Sequence, residues 1–250
     1  AVLKHLLCDD VVDIKDYVDE EFGEDKYALL RNSIVQLREQ KRLFPVNLYG
    51  QQAIAHEADL SLQVQKEVIR ALKEAGIKLT VQTDFDNYIQ HIESEPDLWN
   101  MLIDNNEILK SVAPDLNKLK SRLVNGDTEV LNRVIHALRN MGISVPIKNS
   151  NLKTWIFEVQ NELRSQGVYD GLLIIWDEFT DVMRSDLGVP LLKILQEIAE
   201  DMMNPENDSY FLFLSHPSAL NSLKEAEREQ TRGRYHYVIY NMEPVSAFRI

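Results

Sequence analysis

Apolar residues are laid out along this chain in two ways. Short apolar runs lie at 43–49, 171–177, 209–215 and 235–240. Longer stretches carry apolar residues every three or four positions. The runs have strand length and the stretches have helix period. The clearest run is Leu172-Leu173-Ile174-Ile175-Trp176, set between Gly171 and the pair Asp177-Glu178. It is apolar on both faces, which predicts a central strand of a parallel sheet. Leu43 to Tyr49 predicts another strand ending at Gly50, with Pro45 placing the strand proper after the proline. Ser209 to Ser215 and Tyr235 to Tyr240 predict two more.

The helical pattern predicts a buried helix over 1–8, an acidic surface segment over 9–26, and helices over 27–41 and 61–75. Gly76-Ile77 closes the last in the glycine-then-apolar manner of a C-terminal cap. Helices follow at 84–94, 97–110, 115–124, 128–141 and 151–166, separated by Pro96, Pro114, Asn125-Gly126 and Gly142 and closed by Gly167. A helix from Pro190 to Asn204 and another over 218–230 alternate with the later strands. The expected class is therefore α/β, a mostly parallel sheet with flanking helices and a helical insertion. The expected division is 1–81 and 151–250 for the two parts of the α/β core and 82–150 for the insertion. The spacing of Val64, Val68, Ile69, Ala71, Leu72, Gly76 and Ile77 recurs from Val130 to Ile143. That is either a duplicated unit or two ordinary amphipathic helices with the same cap.

Composition narrows the setting. The chain has 250 residues, 44% of them hydrophobic, and one cysteine, Cys8, so an internal disulfide is impossible and a reducing cytoplasm is expected. No stretch has the ~18 apolar residues of a membrane span, and the first residues lack a signal-peptide layout. A net charge of −13 should repel nucleic acid and anionic membranes, although Arg228 to Arg234 forms a local basic strip. Both ends start or stop within an apolar pattern, so a piece of a longer protein is expected.

The candidate chemistry lies at the end of the central strand. Open α/β sheets bind ligands at their carboxyl edge, and two charges there need solvent or an ion to offset their desolvation. Asp-Glu after a hydrophobic strand is the Walker B pattern, in which the Asp holds Mg²⁺ and the Glu orients the attacking water. The next strand ends in Ser215-His216. Ser215 suits a water-orienting polar residue on a neighbouring strand, or a cap on the following helix; His216 is the adjacent candidate, or a surface loop residue. Arg228, Arg232 and Arg234 precede the last strand, and Arg234 is the choice for a charge that reaches a transferring phosphoryl, against a solvated basic turn. The histidines show no metal-ligand spacing and no G-x-S-x-G elbow occurs. Trp99 and Trp155 fall on apolar helix faces as core residues, and Trp176 reads as strand packing.

On Leu172–Glu178, Phe211–Ser215 and Arg232–Arg234, the chain resembles the P-loop NTPase superfamily in its AAA+ or STAND-like branch, and more loosely the large ATPase subunits of BREX-type bacterial phage-defence systems. The resemblance covers mainly 168–240. It implies ATP and Mg²⁺ as cofactors, with Asp177 on the metal, Glu178, Ser215 and Arg234 in catalysis and His216 near the nucleotide. It also implies self-association or other subunits of a larger assembly as partners. The chain departs from the family in one respect: no G-x-x-x-x-G-K-[ST] loop occurs in it, and such a loop is expected before Ala1. Two other readings stand beside this one: a non-catalytic interaction module on a degenerate core, and a nuclease-like acidic site.

Overall fold

The computed structural model of the chain describes residues 20, 23–49, 57–143, 145, 151–183, 194, 196–198, 200, 204 and 206–215. Strands β1 (Leu43–Tyr49), β2 (Gly171–Asp177) and β3 (Tyr210–Phe213) form a parallel sheet in the order β1–β2–β3. The register sets Leu43 opposite Gly171, Tyr49 opposite Asp177 and Trp176 opposite Phe213.

Strand alternation then sorts every side chain. Phe44, Val46, Leu48, Leu172, Ile174 and Trp176 face a large core together with Phe211 and Phe213. Leu43, Leu173 and Ile175 face the other way, with Tyr210 and Leu212. Only a strand covered on both faces can be apolar throughout without exposing half its side chains, and β2 is buried from Gly171 to Trp176.

β1 departs from expectation by starting at Leu43 and carrying Pro45 in the ladder opposite Leu173. Among the described residues β1 pairs only with β2, and a one-sided strand is where a residue lacking an N–H is tolerated. β3 is shorter and less buried than the apolar run 209–215 suggested. Ser209 is buried but spends its N–H on Asn207 Oδ1 and its hydroxyl on Gln160 Oε1, both at 2.9 Å, instead of on the ladder.

Helix α1 (Ala28–Gln40) precedes β1. Helices α2 (Glu57–Glu74) and α8 (Leu152–Ser165) cover the large-core face with Leu60, Val64, Val68 and Leu72 from one and Trp155, Ile156, Val159 and Leu163 from the other. Burying one such side chain stabilises by about 1.5–3 kcal/mol. Between them lie α3 (Asp84–Ser94), α4 (Pro96–Asn105), α5 (Glu107–Val112), α6 (Leu116–Val124) and α7 (Thr128–Asn140). These pack round a second core built on Tyr88, Trp99, Leu109, Leu123 and Leu131, to which α2 contributes Leu62.

The stretch 97–110 is two helices rather than one. Asn106 ends α4, and its side chain accepts the N–H groups of Ile108 and Leu109 at 3.0 and 3.1 Å to cap α5. The recurring pattern at 64–77 and 130–143 coincides with one cap used twice. Gly76 (φ 74°) and Gly142 (φ 69°) turn left-handed, and the N–H of Ile77 and of Ile143 each return 2.9 Å to Leu72 and Leu138 carbonyls. Short α9 (Thr180–Met183) follows β2, and the described residues between it and β3 include helical 196–198, with Ile198 in the large core. No helix among the described residues is long and apolar enough to cross a membrane.

The segment from Ile77 to Thr83 joins the two cores along one face of α8. Trp155 Nε1 donates to Gln82 O at 3.1 Å, and Gln166 Nε2 donates to Lys78 O at 2.8 Å. The Glu162 carboxylate accepts the N–H groups of Thr80 at 2.7 Å and Val81 at 3.0 Å. Glu162→Ala should cost about 2 kcal/mol, since bonds to a charged acceptor are the stronger kind but this one is partly solvated. Urea unfolding reads this directly, and a midpoint within error of wild type would show that the segment needs no clamp.

Candidate functional site at the carboxyl edge of the sheet

β2 ends at Asp177, with Tyr49 beside it on β1. On the other side the ladder outlasts β3 by one bond: Leu214 N–H donates to Trp176 O at 2.8 Å. The chain leaving β2 then donates back, Phe179 N–H to Leu214 O at 2.9 Å. These two bonds hold residues 177–179 against 214–215. Asp177, Glu178 and Ser215 are all exposed there, so three sequence candidates stand at neighbouring strand ends. His216, Arg228, Arg232 and Arg234 lie outside the described residues.

Glu178 has φ 54°, the one non-glycine residue in the left-handed region among those described. For a side chain with a Cβ this costs roughly 1–2 kcal/mol, and such strain persists where the surroundings over-determine it. The surroundings here are specific. Asp177 Oδ1 accepts the Glu178 N–H at 2.8 Å. Phe179 is buried, edge-on to Trp176 at 5.3 Å and tilted on Phe213 at 4.4 Å between ring centroids. The aromatic anchor and the return bond to Leu214 pin the turn, and Glu178 takes the strain.

The row across the strand ends also brings in residues that sequence reasoning passed over. Tyr49, 65% exposed, and Leu214, 40% exposed, flank Asp177. Their only signal was register, which needs the pairing to be known. The donor set is oxygen: two carboxylates and a hydroxyl, with Asp177 Oδ1 already engaged. No group of three or more His, Cys, Asp or Glu among the described residues is placed to hold a metal by itself.

The opposite edge of the sheet is built differently. Asp208 pairs with both Lys41 and Arg164. Gln160, fully buried, accepts Asp208 N–H at 2.8 Å and Ser209 Oγ–H at 2.9 Å, and donates to Glu206 O at 3.1 Å. Leu172 N–H donates to Ser209 Oγ at 3.2 Å. Every member is satisfied from within the chain, which marks this edge as structural. No family model matches the chain, and no curated protein or solved structure matches it.

Proposed function

We propose that the chain is the ATP-binding and hydrolysing module of a larger cytoplasmic assembly, of the kind its resemblance to P-loop NTPases implies. Asp177 would hold Mg²⁺, whose charge would offset that of the transferring phosphoryl. Glu178 would orient and deprotonate the attacking water, and Ser215 would help to orient it. His216 and Arg234 complete the reading, the first near the nucleotide and the second toward a neighbour's phosphates; the energy would drive conformational change or oligomer assembly, with phage defence as one setting. The supporting observation is the pair of backbone bonds, Leu214 to Trp176 and Phe179 to Leu214, that sets Asp177–Glu178 beside Ser215. A strained Glu178 adds to it, because strain of this kind gathers at functional sites. The second reading, an interaction module, draws on the separate core of the α3–α7 layer.

The two readings part at the metal. In NMR spectra of the chain titrated with Mn²⁺, amides of 177–179 and 214–215 should broaden first, and Asp177→Asn should remove the effect. Broadening spread over the acidic surface, or untouched by that substitution, would favour the interaction module. In a full-length protein that carries the phosphate-binding loop, Glu178→Gln should lower ATP turnover by about 10²–10⁴-fold with ATP still bound; unaltered turnover would remove Glu178 as the base.

A further inference from the structure

A separate buried polar group lies where α2 meets α3. Asp84 opens α3, directly after the segment clamped to α8. It is 8% exposed, and Gln65 of α2 is fully buried beside it. The Asp84 N–H donates to Gln65 Oε1 at 2.9 Å, while Gln65 Nε2 reaches Asp84 Oδ2 only at 3.4 Å. Among the described residues Asp84 Oδ1 has no partner, and neither does Nδ2 of Asn87 one turn on.

Burial raises the Asp84 carboxyl to about 6, with Gln65 opposing. Tyr88, on the next turn, is pushed up to about 12, first by burial and then by Asp84, with Arg139 of α7 acting against both. The other charged groups nearby are occupied or distant. Asp86 accepts the N–H and hydroxyl of Thr83 in a capping box. Lys120 of α6 pairs with Glu93 at the far end of α3. Asp97 and Asp104 of α4 are exposed, and Lys66 of α2 lies against Gly126.

The location gives this pair its leverage. α2 sends Leu60, Val64, Val68 and Leu72 into the sheet core and Leu62 into the helical core. The Asp84–Gln65 contact therefore spans the seam between them. We propose that Asp84 and Gln65 form a proton-gated clasp between α2 and the helical layer, closed when the carboxyl holds its proton and loosened when it ionises. A buried neutral carboxyl is tolerated with few partners, whereas a buried carboxylate with a bare oxygen is not.

The direction follows from linkage. The closed form keeps a proton up to about pH 6 that the opened form, at its ordinary value of 3.8, releases earlier. Closure is thus favoured by acid and lost as pH rises through about 6. Those values make the closed-to-open ratio about tenfold larger at pH 5 than at pH 7.

Hydrogen exchange of the α3 amides at pH 5 and 7, corrected for intrinsic rates, tests this. Wild type should show about tenfold greater protection at pH 5, and Asp84→Asn should be equally protected at both. A wild-type ratio within twofold, or the same pH dependence in Asp84→Asn, would overturn the clasp. Carbon-13 titration of the wild-type Asp84 carboxyl decides independently of any variant: a midpoint near 6 supports it, and one near the ordinary 3.8 overturns it.

Discussion

Gly171→Ala should destabilise the chain by about 3 kcal/mol or more, lowering Tm by roughly 6–12 °C. A Cβ at Gly171 would collide with the backbone carbonyl of Asp208 and crowd the N–H of Ser209. Both are main-chain atoms, so no side chain can swing aside. β3 would have to move off β2 at the level where the two begin. Gly142→Ala is the control. That glycine is left-handed (φ 69°) but has open space where its Cβ would stand, so the loss should be about 1 kcal/mol from backbone strain alone. A loss at Gly171 no greater than at Gly142 would mean that the strands separate freely there. The site would then be poorly fixed too, because among the described residues Ser215 is held to Asp177–Glu178 through the β2–β3 ladder and its extension.

The parts of this architecture legible in sequence are those governed by local period. Leu172 to Trp176 is apolar on both faces, and β2 is the central described strand. Given parallel neighbours, the proximity of Asp177 and Ser215 follows from strand ends alone. The left-handed turn at Glu178 was not legible, since glutamate has no preference for that region and the cause lies in Phe179 packing on two other aromatics. The division at Asn106 was missed because neither glycine nor proline marks it; a side-chain cap does. Asp84 stands among polar residues at a helix start, where a carboxylate is ordinary, and only the approach of Gln65 from α2 makes it a buried one. The Asp208 network joins Lys41 to a residue 167 positions away and Arg164 to one 44 away, separations at which no periodicity carries information.

That network supports the other large prediction. Asp208→Ala should cost about 2–3 kcal/mol, below the full penalty for breaking a buried ion pair because both cations keep some solvent. Their side chains are 30% and 32% exposed, against 13% for Asp208. Arg164 retains Asp170 O at 2.9 Å and Glu206 O at 3.1 Å as acceptors, so much of the loss should fall on Lys41. Asp208→Ala with Lys41→Met should therefore recover part of it, since the double variant strands no lysine charge and leaves only Arg164, which keeps its two carbonyl acceptors. Urea midpoints of the wild type and the single and double variants measure this. A single-variant loss under ~0.5 kcal/mol would reduce the cluster to a screened surface pair. The Mn²⁺ response at Asp177 should be the same in the folded double variant as in wild type. Two edges of one sheet would then be separable, the amino edge holding β2 and β3 in register and the carboxyl edge free to carry chemistry.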